Sequence, residues 1–500
     1  MQEPTLPRYS TIPRGPPHYS AVIPSQVHDS SSFPLKNSKG FTWASVNLQK
    51  EYRGAPHGTG TNEVPIIVEG AGPVTGSVNL DLQSPETVQA ISIAVRGRAI
   101  TGANEGGSFT FLNHTVSLWA KEQGDPQAYR IDRVADGSVN NATNPSKSGK
   151  LCGKYKFPFS ITLPKNDGLG DSLHSLPETF QERLSGVRVR YELVLKIARG
   201  RLKPDTKLQI PVVYRRRTAP EPASELRQFA YQENTVAPGP ALDPNGWLTV
   251  SSVDCIGRLL NSRTVILRCT ASYMYLSLHM SPADISQLAV AGETGISVSF
   301  EISFFTKSVS VQLAYTRGSF IPCHLRIESI DDQALDLLAS PRTTTLRLSR
   351  RVKYLFDAGQ GMQHNGKSTA SKLKFEISDV GQATWSHDND ANEDDSRVRC
   401  LTGEIPLSKE LPPSSDISSF GIEYTVVLHP FESVTFAPER AVPLQAHKVE
   451  VTTDFGQGPA PQAASRRARV SLIEPSWTPL AREDANAIAA SHSNPFQLVT

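Results

Sequence analysis

The sequence predicts an all-β protein: two tandem antiparallel β-sandwich domains, immunoglobulin-like in architecture, with disordered tails. Three observations carry that expectation. Apolar residues alternate strictly early on, with Tyr155, Phe157, Phe159, Ile161 and Leu163 on one face and Lys156, Pro158, Ser160 and Thr162 on the other. The pattern recurs as Val187, Val189, Tyr191, Leu193, Leu195 and Ile197, opposing Arg188, Arg190, Glu192 and Lys196. A period of two with one apolar face marks a half-buried strand. Similar segments fill most of the chain, and Asp331 to Ala339 is the one short helix candidate. Many short strands with almost no helix favour sandwiches.

Taken in order, residues 1–40 are rich in Pro, Ser and Tyr without periodicity and are expected to be disordered. A first β-domain spans 41–217. Val78, Leu80 and Leu82 follow a Gly70 to Gly76 turn region; then come Ile91, Ile93 and Val95, ending at Gly97, and Phe109 to Trp119. Residues 218–245 are proline-rich and read as the interdomain linker. The second domain, 246–452, contains Ile296, Val298, Phe300, Ile302 and Phe304 in alternation, then Val309, Val311, Leu313 and Tyr315. Its later strands are Leu346 to Phe356, Leu373-Phe375-Ile377 and Phe420 to Leu428, interrupted by a Gly/Gln loop near 358–370 and an acidic run, Asp388 to Asp395. Residues 453–500 turn to Pro, Ala, Gly and Ser and are expected to be disordered.

A length of 500 residues is too great for one core and suits two domains plus tails. The net charge of +2 argues against a polyelectrolyte, so any basic function must be local. No apolar run approaches the roughly 18 residues that span a bilayer, and the N-terminal stretch lacks a hydrophobic secretory core. Cys152, Cys255, Cys269, Cys323 and Cys400 are scattered, which favours reduced thiols and a cytoplasmic protein. The sequons Asn113-His114-Thr115 and Asn141-Ala142-Thr143 are then incidental.

Catalytic signals are weak. The twelve His are dispersed with no zinc pattern. Gly70, Gly72 and Gly76 precede a strand and not a helix, so they make no dinucleotide cradle. The acidic run lacks the Gly and final Glu of a calcium loop. A non-enzymatic protein with no cofactor and no metal is expected.

Between the two alternating strands stand Leu163-Pro164, Leu176-Pro177, Phe180 and Gly186, and with Phe157-Pro158-Phe159 and Arg190-Tyr191 this order resembles the arrestin N-domain. Gly76, Val78, Leu80, Ile91, Ile93, Val95 and Gly97 match a second signature of that domain, and the likeness covers about residues 64–214. Tyr315, Gly318, Ile321-Pro322 and Leu325-Arg326-Ile327 look like an arrestin C-domain hairpin, although Glu328 stands where that family usually has Asn. Gly403 to Leu407, Pro413-Ser414 and Ile422-Glu423-Tyr424 resemble its closing strands. The whole is similar to the α-arrestins, the arrestin-related trafficking adaptors.

Two tail motifs fit that resemblance. Pro16, Pro17 and Tyr19 form a PPxY peptide of the kind WW domains read: paired prolines favour polyproline II, and the Tyr fills a neighbouring pocket. Leu6, Pro7 and Tyr9 form an LPxY variant upstream, close enough for tandem WW domains to bind both. α-Arrestins use such motifs to recruit WW-domain HECT ubiquitin ligases, and many carry them after the second domain. Asn494, Pro495 and Phe496 make an NPF tripeptide of the type bound by EH-domain endocytic proteins.

Ten Lys or Arg against two acids lie between Arg188 and Arg217, with Arg188, Arg190, Arg215, Arg216 and Arg217 as the candidate basic patch. Arg347, Arg350, Arg351 and Lys353 form a second group. On arrestin-like folds such surfaces face acidic or phosphorylated tails or anionic lipid; Arg alternating with Val equally describes a solvated strand face. No nucleic acid is expected, because aromatics are not interleaved.

The resemblance implies an adaptor that links an integral membrane transporter or receptor cargo to a HECT ligase, promoting ubiquitination, endocytosis and sorting at the plasma membrane and endosomes. The alternatives are a retromer-like scaffold without ligase recruitment and a carbohydrate-binding β-sandwich.

Overall fold

The computed structural model describes residues 30–49, 66–70, 72–101, 108–124, 126–131, 150–164, 176–182, 186–200, 203–233, 235, 237–274, 313–356, 372–388 and 396–461. Among these residues the chain is all-β, with two short α-helices and two sandwich-like domains. No helix among them is long and apolar enough to cross a membrane.

The first domain holds β1 (Ser30–Lys36), β2 (Thr42–Gln49), β3 (Ile66–Glu69), β4 (Pro73–Ile100), β5 (Ser108–Ala120), β6 (Lys150–Thr162), β7 (Phe180–Gln181), β8 (Arg188–Arg199) and β9 (Thr206–Arg215). Strand β4 runs for 28 residues and belongs to both layers. Its first half pairs with β2 and β6, its second half with β5 and β8, and register shifts fall near the change-over, between Leu82 and Glu86 and between Val88 and Ala90. A bulge sharpens local bend and twist, which lets one strand turn from sheet to sheet.

The inward residues are the ones the alternation picks out: Tyr155, Phe157, Phe159 and Ile161 of β6 and Val189, Tyr191, Leu193, Leu195 and Ile197 of β8 are all buried. Each large apolar side chain so removed from water contributes about 1.5–3 kcal/mol. Gly97 leaves room for Phe111: a Cβ there would lie 2.5 Å from the ring, which meets Tyr191 edge-on at 5.6 Å.

After α1 (Glu225–Gln232) in the linker, the second domain contains β10 (Trp247–Thr249), β11 (Val253–Leu259), β12 (Arg263–Met274), β13 (Leu313–Thr316), β14 (Phe320–Glu328), α2 (Asp332–Leu338) and β15 (Leu346–Phe356). It continues with β16 (Lys372–Gln382), β17 (Thr384–His387), β18 (Val398–Pro406), β19 (Ser415–Ile417), β20 (Phe420–Leu428), β21 (Phe436–Pro438) and β22 (Gln445–Thr452). One sheet runs β17-β18-β14-β12-β11-β21 and the other β13-β22-β20-β15-β16, with β10 on β12 and β19 on β20. Helix α2 stands where the helix candidate was placed, and its first turn is capped by Asp331, which accepts from the Ala334 N–H at 3.0 Å.

Three boundaries differ from the sequence reading. The first domain begins at β1, inside the stretch expected to be disordered, because Phe33 and Leu35 alternate and pack on the core despite Pro34 between them. The linker contains α1, which buries Arg227, Ala230 and Tyr231. Buried Arg227 donates to Asp243 at 3.0 Å, so this segment is packed rather than loose. Thr453 and Asp454, assigned to the C-terminal tail, hydrogen-bond to the domain junction. The segments 296–304 and 358–370, most of the acidic run and the second sequon lie outside the described residues.

The five cysteines are free of disulfides, and four are buried.

Candidate functional site

The two sandwiches meet along a polar seam. Strand β9 delivers Arg215, Arg216 and Arg217 to the junction, where the chain crosses to the second domain. Arg216 donates to the Ser414 carbonyl at 2.7 Å and lies 4.0 Å from Glu450; Arg217 pairs with Asp454 at 3.1 Å. Thr218 and Thr453 exchange backbone and side-chain hydrogen bonds, with the Thr453 N–H reaching the Thr218 carbonyl at 3.0 Å.

A second set of contacts lies deeper. Arg317 meets Glu178 at 3.1 Å, Arg350 meets Glu182 at 2.7 Å, and the Phe180 and Phe420 rings are 5.5 Å apart. Burial raises the Glu178 carboxyl above the usual range against the opposing pull of Arg317, and burial likewise raises Glu450 against Arg216. Leu176-Pro177 and Leu411-Pro412 frame this region from the two domains: the Tyr191 hydroxyl donates to the Pro177 carbonyl and the Tyr424 hydroxyl to the Pro412 carbonyl, each at 2.6 Å. Beside the seam, Tyr231, Met274, Tyr315, Phe320 and Phe455 line a small, mainly apolar cleft.

The expected basic patch divides in two. Arg188 and Arg190 sit on the outward face of β8, and the register sets Arg190 beside Arg98 of β4. Arg96, Arg98, Arg188 and Arg190 thus share one sheet face with Glu192, which is buried and paired with Arg98 at 2.8 Å. Strand β7 separates this group from the seam, since Thr179 bonds to Tyr214 of β9 while Phe180 and Gln181 pair with β8. Arg216 and Arg217 are therefore committed to the protein's own second domain. Arg215, more than half exposed, faces Glu69 at 4.0 Å.

The second basic group is neutralised internally. Arg347 meets Asp379 and Glu432, Arg350 meets Glu182, Arg351 meets Glu423, and Lys353 meets Asp416 and Glu423. Those lysine and arginine residues look free in sequence because their carboxylate partners lie far from them along the chain.

Among the described residues, no group of three His, Cys, Asp or Glu side chains is arranged to hold a metal ion. The WW-binding candidates Leu6, Pro7, Tyr9, Pro16, Pro17 and Tyr19 and the EH-binding candidates Asn494, Pro495 and Phe496 lie outside the described residues. Sequence reading missed Glu178, Glu182, Asp243, Arg317 and Asp454, isolated charges with no local motif; a signal existed only for Glu182, two residues past the Phe180 that the pattern singles out. No family model matches the chain, and no curated protein matches it either.

Proposed function

We propose that this chain is a non-enzymatic adaptor of the α-arrestin kind, which brings a WW-domain HECT ubiquitin ligase to an integral membrane transporter or receptor. The observation that carries the reading is the combination of Pro16-Pro17-His18-Tyr19, ahead of the first described strand, with a body of two clasped sandwiches. A polyproline II peptide docks on an aromatic groove at low entropic cost. A ligase held there meets cargo as a tethered reactant, so ubiquitination gains from effective concentration. The Arg96, Arg98, Arg188 and Arg190 face is the surface assigned to cargo, because guanidinium groups bind carboxylate and phosphate bidentately.

On this reading the protein works in the cytoplasm and peripherally at the plasma membrane and endosomes, with Asn494-Pro495-Phe496 offered to EH-domain proteins and the basic face to anionic lipid. The test is a pull-down of ligase WW domains with the full chain, Tyr9→Ala, Tyr19→Ala and the double variant. Binding lost in the double variant supports recruitment. Equal binding by all four, or by none, removes the ligase from the reading and leaves a trafficking scaffold.

A further inference from the structure

Strand β16 closes its sheet, and among the described residues no strand pairs with its outer edge. It is also unusually apolar for an edge. Leu373, Phe375 and Ile377 share one face and are 48%, 48% and 71% exposed. Natural edges of this kind are blunted by bulges, prolines or charges, because an open row of backbone donors and acceptors invites another strand. The bulge opposite Leu348 and Ser349 lies at the far end of β16, leaving Leu373–Ile377 in regular pairing with β15.

The order of residues on this edge says what fits it. In an antiparallel pairing of β16 with a second β16, centred on Phe375, Phe375 stands opposite Phe375 and Leu373 opposite Ile377. Lys374 then stands opposite Glu376, and the two-fold axis repeats each pair. All five positions from Leu373 to Ile377 become complementary in one register. A one-residue slip sets Leu373 opposite Glu376, so the register is specified.

In the single copy these side chains rest on the neighbouring strand β15. Arg351 lies over the Phe375 ring at 5.2 Å, Lys374 lies 3.5 Å from the Phe356 ring centre, and the Tyr354 hydroxyl donates to Glu376 Oε1 at 2.8 Å. Lys374 on its own is the sort of charge that protects an edge from foreign strands, and it becomes an attraction only where a Glu stands across from it.

We propose that β16 is a homodimer interface, two copies of the chain joining edge to edge about a two-fold axis at Phe375 into one continuous sheet. The Glu376 carboxylate, oriented by Tyr354, takes the partner's Lys374. The hydrophobic strip of each copy covers that of the other.

Charge exchange tests this directly in the full chain by sedimentation velocity over a concentration series. Wild-type protein should pass from one to two chain masses as concentration rises. Lys374→Glu and Glu376→Lys should each weaken self-association about tenfold, since two attractive pairs become repulsive. The double variant Lys374→Glu/Glu376→Lys should recover it. Lys374→Glu mixed with Glu376→Lys should form heterodimers, which only this register allows, and both must show the wild-type melting transition. A chain that stays monomeric throughout, or a dimer indifferent to all these changes, overturns the proposal.

Discussion

Arg350 of the second sandwich holds Glu182 of the first: Nη2 lies 2.7 Å from Oε2, with the two side chains only 3% and 2% exposed. Removing both charges from water costs several kcal/mol, and the ion pair offsets that only while both partners stay in place. Such a contact adds little net stability but penalises any other placement of the two domains. Phe180 against Phe420 and Arg317 against Glu178 bracket it, so domain docking is specified by a short strip of paired groups.

Breaking that pair from one side should be costly. Glu182→Gln should lower unfolding free energy by about 3–5 kcal/mol, because it leaves a buried guanidinium without its counter-charge. Replacing both residues, as Glu182→Leu/Arg350→Met, should recover most of the loss. Urea denaturation of the three proteins checks it; a loss below about 1 kcal/mol in the single variant would show the charge to be solvated in solution.

Acidity should act on the seam through Glu178. Its folded pKa is raised by burial, so between the ordinary carboxylate value and the raised one the folded chain holds a proton the unfolded chain has released. Stability therefore falls as pH rises through that window, and the penalty is complete above the raised value. Denaturation midpoints of wild type and Glu178→Gln from pH 4 upward should show the flatter profile in the variant.

Tyr191→Phe and Tyr424→Phe should each cost about 1–3 kcal/mol, since each leaves a buried proline carbonyl without its donor. Removal in one domain should lower the corresponding calorimetric transition. Equal and negligible effects in both would mean that water replaces the hydroxyl.

Gly97→Ala should destabilise the first domain by about 1–3 kcal/mol, because the new methyl overlaps Phe111. Pairing it with Phe111→Leu should give back part of the loss in thermal melts. Additive losses would show that the methyl clashes elsewhere.

Strands were legible where one face is wholly apolar, as in β6, and α2 was legible as the one helix candidate, Asp331 to Ala339, in a chain of strands. Helix α1 was not, since its buried set includes Arg227, whose partner Asp243 lies beyond the helix. The alternation that placed β8 also put Glu192 in solvent, whereas Arg98 draws it into the protein. The fate of Arg216 depends on Ser414, nearly two hundred residues away, and nothing local to an Arg-Arg-Arg run announces such a contact.

The double membership of β4 bears on how the first domain is made. Val78 pairs with Phe157 and Ile93 with Leu195, contacts that span about eighty and about one hundred residues of chain. Neither layer can close before β6 and β8 have been synthesised, and when synthesis has reached Gly97 only β2 of the four strands that pair with β4 exists. Assembly is therefore slow and all-or-none, and until β8 emerges the nascent chain offers its longest apolar strand to chaperones.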